Sequence, residues 1–338
     1  MLQLKNTTPF AATMFLFPNR EAVDTLYVVV KATFDLHPKL TLADEQRPVA
    51  VSDEYWGEPG QSSLKYPNEA HLEKPGTDVI VVAEACAPND KPVTHLDIAA
   101  SVAGVEKRAR VIGDRIWEKD HKLFRPSAPR AFTRMPLTYE HAFGGTVLAD
   151  GDDTTALCEA RNPVGLGFND ETSDGLLGTP LPNIEDPRSP LRAPTDKPAP
   201  VGFGAVAASW QPRVQYAGTY DDAWRKTRAP YLPQDFDPRF FNAAPERWTF
   251  PRGLQGGEPV LAAGMSPQRL VRFELPRWSL STSVRIAGAA QTPVLTLETV
   301  ILEPTDAKLT MTWRAAVPCD KKTLKVEQIT ISGTITPS

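Results

Sequence analysis

Apolar residues in the first third of the chain fall in short runs and alternating stretches that predict β-strands. Residues 25–34 (TLYVVVKATF) and 78–85 (DVIVVAEA) are rich in β-branched residues and are bounded by turn-forming residues. Apolar and polar residues alternate over 95–102, and after Gly104 a strand-like pattern resumes over 107–117. This spacing is typical of antiparallel strands packed as a sandwich or a barrel.

The last third has the same pattern. We predict five strands there, at residues 270–275, 281–286, 294–302, 308–313 and 328–335. Residues 300–313 (VILEPTDAKLTMTW) predict a hairpin with its turn at 304–306.

The middle of the chain, about residues 125–260, is rich in Pro, Gly, Asn and Asp. The 33 prolines of the chain are close to twice the usual share of about 5%, and proline interrupts helices and central strands. We predict only two short helices here: one near residues 154–161, capped by Asp152 or Asp153, and one near residues 221–226.

This middle segment also carries many aromatic residues, which disordered segments lack. The fold class that we predict is therefore mainly β, with antiparallel sandwich- or barrel-like sheets built from the N- and C-terminal thirds. A long, ordered, Pro/Gly-rich irregular layer and few short helices complete it. We expect one domain over residues 1–338, with an N-terminal β part (1–124), a loop-rich layer (125–260) and a C-terminal β part (261–338).

The net charge and the cysteine content restrict the kinds of partner and the cellular compartment that we expect. The net charge of −4 argues against nucleic acid or a membrane surface as a general partner, because both select basic faces. The apolar run at residues 10–17 is too short for a membrane span and lacks a basic region before it. Three widely spaced cysteines suggest reduced thiols, so we expect a cytoplasmic protein.

Familiar catalytic and cofactor motifs are missing from the sequence. The five histidines and three cysteines form no HExxH, HxxxH or CxxC pattern, and there is no Walker A or GxSxG string. Gly202, Gly204 and Ala207 match GxGxxA, but prolines surround them where a nucleotide site needs a strand and then a helix. We therefore predict no cofactor, no metal and no catalytic residue.

Paired carboxylates offer an alternative, a carbohydrate-active hydrolase. Asp221, Asp222, Asp235 and Asp237 lie near tryptophan and tyrosine, as in a sugar-cleaving cleft. Aspartate beside Gly, Thr and Pro more often forms turns. We favour structural pairing of these acids with Arg213, Arg225, Arg228 and Arg239.

Several strings in the middle layer are distinctive. They are FTRMPLTYEHAFGG (132–145), RNPVGLGF (161–168), LPNIEDP (181–187), and, within 202–248, GFGAVAASWQPR and AGTYDDAWRKTRAPYLPQDFDPRFFNAAPERW. In this order they resemble the bacterial family called domain of unknown function 2169, and the resemblance covers most of the chain.

The resemblance implies an adaptor or chaperone of a type VI secretion system rather than an enzyme. Such a protein holds a toxin effector and helps to place it on the secretion spike, which is the VgrG trimer or its PAAR tip. A structural part of the spike itself is a further alternative.

Sheet edges and aromatic surfaces are the places where such a protein could hold its cargo. Trp, Tyr and Arg are the usual anchors of protein interfaces, and for Trp210 and Trp224 we favour a core position over a surface one. The candidate partner-binding residues are Trp210, Arg213, Tyr220, Trp224, Arg225, Tyr231, Arg239 and Trp248.

Overall fold

The structure is a computed structural model that describes residues 3–121, 123–149, 152–169 and 174–335. Strands account for 43% of the chain and helices for 9%, which confirms the predicted mainly β class. No helix among the described residues is both long enough and apolar enough to cross a membrane.

The strands are numbered in chain order. They are β1 Gln3–Asn6, β2 Ala11–Pro18, β3 Asp24–Asp35, β4 Thr41–Leu42, β5 Glu54–Tyr55, β6 Leu64–Tyr66, β7 Thr77–Val81, β8 Glu84–Cys86, β9 His95–Val102, β10 Val105–Ile112, β11 Trp117–Asp120, β12 Leu123–Pro126, β13 Arg134–Pro136, β14 Phe143–Gly144, β15 Thr146–Ala149, β16 Asp152–Cys158, β17 Leu166–Gly167, β18 Ile184–Glu185, β19 Thr249–Phe250, β20 Pro259–Ala263, β21 Leu270–Glu274, β22 Trp278–Ile286, β23 Ala289–Gln291, β24 Thr296–Glu303, β25 Lys308–Pro318 and β26 Val326–Ile335.

Helices are few and short. The α-helix α1 spans Asp222–Thr227, at the predicted place, and the side chain of Asp221 caps it by accepting from the Trp224 amide at 2.8 Å. The 3₁₀ helices are Pro88–Asp90, Tyr139–His141, Asp174–Leu176, Arg213–Tyr216, Pro238–Phe241 and Asp320–Lys325.

The largest sheet has the order β19-β7-β24-β25-β3-β2, with β4 beside β3. All its pairs are antiparallel except β7 with β24. Strand β3 is buried along almost its whole length, because the sheet is covered on both faces. That explains why its sequence is a continuous apolar run rather than an alternating one.

Two further sheets share a core with the first. The five-stranded sheet has the antiparallel order β18-β10-β9-β20-β21, and the four-stranded sheet has the order β1-β26-β22-β23. Val30, Val102 and Ile329, one from each sheet, belong to the same buried cluster. The three sheets therefore share one apolar core, and strands from the two ends of the chain lie side by side in them.

The observed strands match most of the predicted ones. The strand predicted at 95–102 is β9 to the residue, and the predicted hairpin is β24 and β25 with its turn after Glu303. The stretch 107–117 proves to hold most of β10 and the first residue of β11, and the stretch 78–85 holds parts of β7 and β8.

The helix predicted near residues 154–161 is wrong. Residues 152–158 form β16, which pairs antiparallel with β15. Thr154 and Thr155 are β-branched, and such residues favour strands over helices. Pairing with the neighbouring strand therefore outweighs the capping signal of the aspartates.

One face of the largest sheet carries buried charges that the sequence analysis did not identify. Arg314 on β25 is 2% exposed and forms a two-bonded pair with Glu298 on β24, at 2.7 and 2.9 Å. Lys31 on β3 pairs with Glu69 at 2.9 Å. Segment 43–78 supplies Glu69 and His71, so these contacts hold that segment against the sheet.

His71 is neutral in this network. Its Nδ1 lies within hydrogen-bond distance of the Leu72 carbonyl, which fixes the proton on Nδ1 and leaves Nε2 as an acceptor 3.4 Å from the Arg314 guanidinium. Burial, together with the positive charges of Arg314 and Lys74, holds the pKa of His71 well below its usual value.

We expect the pH dependence of stability to carry the signature of His71. The unfolded chain binds a proton on this histidine near pH 6.5 while the folded chain does not, so stability is full above that pH and falls below it. The loss is about 1.4 kcal/mol per pH unit. Denaturant unfolding at pH 7.5 and 5.5 should show a smaller difference for His71→Gln than for the unmodified chain.

His121→Gln, at a histidine that is 96% exposed and lies outside the buried network, is the matched surface control for the substitution. Burial also lowers the pKa of His141, but this residue contributes equally to the pH dependence of stability in the unmodified chain and in His71→Gln. An equal pH dependence for His71→Gln and the unmodified chain would contradict the prediction.

Candidate functional site

A buried asparagine joins two of the distinctive strings of the middle layer, those at 132–145 and 161–168. Asn162 is fully buried and donates from Nδ2 to the carbonyls of Tyr139 and Phe143, at 2.8 and 2.9 Å. Gly144 and Gly165 lie so close to Asn162 that a Cβ on either would approach it within 2.3 Å. These residues therefore close the layer on itself, and the glycines are required for that close approach.

Two tryptophans of the layer lie in apolar clusters of the core, Trp248 in the large cluster shared by the sheets and Trp210 in a second one. Trp210 is 5% exposed and packs edge-on against Tyr139, at 5.4 Å between ring centroids. Trp248 is wholly buried and packs edge-on against Phe203. Trp210 is thus a core residue, as favoured from the sequence, and Trp248 is a core residue as well. The core position favoured for Trp224 is wrong, because that side chain is only half-buried on the short surface helix α1.

Arg213 is buried and makes none of the predicted pairs with aspartate. Its guanidinium donates to the carbonyls of Val206 and Phe240, at 2.6 and 2.8 Å. Arg228 likewise donates to the carbonyls of Leu232 and Arg20. Both arginines satisfy loop carbonyls, so the predicted ion pairs of these two residues are wrong.

Four of the candidate residues come together around α1. Tyr220 (52% exposed) packs edge-on against Trp224, whose indole N–H donates to the Tyr231 carbonyl at 2.9 Å. Tyr231 is also exposed, and Arg225 lies on the same helix, paired with Asp222. We call Tyr220, Trp224, Arg225 and Tyr231 the aromatic patch.

The first pair of aspartates considered for catalysis serves α1. Asp221 caps the helix, and Asp222 pairs with Arg225 at 3.1 Å one turn further on. Asp222 thus makes an ion pair with arginine, as favoured from the sequence, whereas Asp221 serves as a helix cap instead of pairing with arginine.

The second pair of aspartates serves turns. Asp235 accepts hydrogen bonds from the Thr219 amide and hydroxyl, which lower its pKa, and Arg239 lowers the pKa of Asp237 by a two-bonded pair. A carboxyl with a lowered pKa is a poor proton donor at neutral pH. The geometry around these acids is that of loop closure.

A groove of about 1800 Å³ runs between the five-stranded sheet and the middle layer. Its walls include residues 106–109 of β10 and the loop segments 186–189, 199–202 and 244–249. We call it the layer groove. Of the candidate residues, Arg213, Arg239 and Trp248 line it. It is larger than the roughly 300–1,000 Å³ of common small-molecule pockets.

One wall of the layer groove is the outer edge of β10. The turn between β9 and β10 consists of Ala103 and Gly104, with φ of 50° and 80°, which is the geometry of a two-residue hairpin. In such a hairpin the flanking pair is hydrogen-bonded, so every second residue from Val105 points its backbone groups at β9. Glu106 and Arg108 therefore point theirs outward.

Strand β18 covers this edge only at its far end. It pairs with Arg110 and Val111, and the Ile112 amide donates to the carbonyl of Asn183. Among the described residues, the outward N–H and C=O groups of Glu106 and Arg108 have no protein partner. The layer groove thus contains a short stretch of unpaired strand edge.

Lys107 lies at the same edge, on the inner face of β10. Its ammonium donates to the Gly202 carbonyl at 2.7 Å and lies 5.9 and 5.7 Å from the ring centroids of Phe203 and Trp248. Burial lowers the pKa of Lys107 to about 8; Glu246 opposes that shift and Arg247 adds to it. No carboxylate among the described residues lies within ion-pair distance of this ammonium.

The layer groove has more positive than negative side chains. Seven of its lining residues are Lys or Arg and four are Asp or Glu. Four of the arginines are neutralised by a carboxylate two residues earlier in the chain; they are Arg108, Arg161, Arg188 and Arg239. Lys107, Arg213 and Arg247 remain, together with Glu246, a lining carboxylate for which no ion pair is present in the described part of the chain, so the remaining charge is positive overall.

Lys107 and the β10 edge were missed in the sequence analysis. A signal was present, because Lys107 alternates with Ala109 and Val111 and therefore belongs to the apolar face of its strand. A lysine on an apolar face predicts a buried or snorkelling ammonium.

Comparison with known proteins gives one match. The model of a family described as "Uncharacterized protein conserved in bacteria", domain of unknown function 2169, matches residues 21–314. Comparisons with curated proteins and with solved structures give no match.

Proposed function

The chain belongs to this bacterial family, domain of unknown function 2169, and from that premise we propose that it is a non-catalytic adaptor or chaperone of a type VI secretion system. In this role it binds a toxin effector in the cytoplasm and helps to load it onto the VgrG spike or its PAAR tip. The resemblance of the middle-layer strings to such adaptors suggests that the cargo is a toxin effector and that the machine is a type VI secretion system.

The layer groove is the observation that supports polypeptide binding best. Its size suits a protein segment better than a small molecule, and it includes an unpaired strand edge with apolar and charged walls. Strand addition and anchoring of side chains in pockets are recurring ways to bind an extended polypeptide.

Affinity purification of the tagged chain from its native host tests the proposal. We expect one toxin to be recovered in stoichiometric amount, with or without VgrG or a PAAR protein, when the eluate is analysed by mass spectrometry. Deletion of the chain should lower the cellular level and the secretion of that toxin, because an effector without its holder is exposed to aggregation and proteolysis.

Two results would count against this function. Recovery of no toxin and no spike protein, from a strain shown to secrete actively, would contradict the adaptor role. Accumulation of the chain in the culture supernatant beside the spike would favour a structural spike component over a retained adaptor.

A further inference from the structure

Taking the proposed adaptor function as given, we infer that the cargo contributes an extended acidic segment that adds a strand to the free edge of β10 and places a carboxylate on Lys107. The contact would be formed within the layer groove. The aromatic patch around α1 would lie outside it.

Backbone geometry supports an added strand. The outward N–H and C=O groups of Glu106 and Arg108 are four hydrogen-bonding groups in the spacing of a strand edge, and the groove gives access to them. An added strand would continue the line of β18, which already pairs with β10 further along. The ion pair between Glu106 and Arg108 deters uncontrolled pairing with other edges, as charges at free edges commonly do.

Charge supports an acidic segment. The Lys107 ammonium has three donors, and one of them is used by the Gly202 carbonyl. A cargo carboxylate would supply the missing counter-ion at a place where burial already strengthens electrostatic attraction. Arg247, for which no ion pair is present in the described part of the chain, also lines the groove and favours the same sign of charge, whereas Glu246 beside it acts on Lys107 from beyond ion-pair distance.

Nucleic acid fits the layer groove less well than an acidic peptide does. Binding of a phosphate backbone relies on many uncompensated cations, whereas four of the groove arginines are already paired. An extended peptide uses backbone hydrogen bonds for most of its contacts and needs only one or two charges.

The test compares Arg108→Pro with Arg108→Ala in capture of the toxin that co-purifies with the unmodified chain. Proline removes the outward N–H of position 108 and leaves the ladder to β9 intact, because that N–H points away from β9. We expect Arg108→Pro to bind the toxin at least about tenfold more weakly than Arg108→Ala, the scale of one or two hydrogen bonds, because both variants lose the guanidinium and only the proline loses the outward N–H. Equal affinities of a folded Arg108→Pro and the unmodified chain would overturn the strand addition.

Amide hydrogen exchange of the unmodified chain keeps the idea testable if the proline variant does not fold. The amides of Glu106 and Arg108 should exchange rapidly in the free chain and become protected in the toxin complex. Protection that appears on the aromatic patch and not on β10 would refute the proposed site while leaving the adaptor function standing. Failure of the unmodified chain to capture any toxin would instead count against the adaptor function itself.

The pH dependence of toxin binding tests the role of Lys107. A carboxylate binds the charged ammonium. Toxin affinity should therefore depend little on pH around pH 7 and fall by up to about tenfold per pH unit above pH 8, where Lys107 of the unbound chain loses its proton. Lys107→Arg should retain its toxin affinity at pH 9, because arginine stays charged. Lys107→Met should bind the toxin weakly at both pH 7 and pH 9. Identical pH profiles for the unmodified chain, Lys107→Arg and Lys107→Met would exclude a carboxylate on this residue.

Discussion

Replacing Glu298 by leucine should lower the free energy of unfolding by about 3–5 kcal/mol, the cost of leaving a buried charge without its partner. Arg314 is 2% exposed and donates from Nε and one terminal nitrogen to Glu298. The remaining hydrogen bonds of Arg314, to the carbonyls of His71 and Glu69, carry no negative charge to balance the guanidinium. Denaturant unfolding followed by tryptophan fluorescence measures the loss.

A double variant distinguishes the cost of an uncompensated charge from the cost of the changed side-chain packing. Glu298→Leu combined with Arg314→Met removes both charges, and we expect it to be more stable than Glu298→Leu alone, since the uncompensated cation is gone. Asp97→Ala, which breaks the exposed pair with Arg110, is the matched surface control and should cost less than about 1 kcal/mol. A loss below about 1 kcal/mol for Glu298→Leu would mean that water or another group already balances Arg314.

This charged network is a feature that sequence patterns alone could not predict. The strand at 25–34 could be predicted because β-branched residues dominate it, and β3 indeed spans Asp24–Asp35. The burial of Lys31 could not be predicted, because its partner Glu69 is 38 residues away and comes from a loop that has no periodic pattern. Long-range pairing of single polar residues leaves no periodic signal in either segment.

The sequence predicted that the middle layer is ordered, but it did not predict the secondary structure of every segment in it. Its aromatic content indicated order, and Trp210 and Trp248 indeed lie in the core. The short helix α1 carried a usable local signal in its Asp221 cap. The segment at 152–158 carried a similar signal and formed a strand, since pairing with β15 depends on a neighbouring strand rather than on a cap.

The candidate site was predicted only in part. Aromatic and arginine content directed attention to eight residues, of which Trp210, Arg213 and Trp248 prove to be buried. The free edge of β10 depends on how far β18 extends along its neighbour, and that is a property of the assembled sheet. Residue type could therefore indicate an ordered, loop-built layer but could not locate its groove.

Replacing Asp78 by alanine should both destabilise the chain and loosen the layer groove. Asp78 is fully buried on β7 and accepts hydrogen bonds from Lys74, Asn242, the Ala243 amide and Thr249, at 2.7 to 3.0 Å. Its loss leaves the buried Lys74 ammonium without a counter-ion, with only the Thr299 hydroxyl as a partner, and removes the acceptor of the Ala243 amide and the Thr249 hydroxyl. We therefore expect a loss of about 3–5 kcal/mol in unfolding free energy.

Three of these partners belong to the segment 242–249, which also forms a wall of the layer groove. Hydrogen exchange in that segment should therefore accelerate in Asp78→Ala. The proposed adaptor function further predicts that affinity for the toxin falls even where the chain is still folded. Thr249→Val, which removes one of the hydrogen bonds, should cost about 1 kcal/mol and serves as the graded control. Unchanged exchange over 242–249 in Asp78→Ala would show that packing of Trp248 and Phe203 alone holds this wall, and the shape of the groove would then be set by the core rather than by the polar anchor.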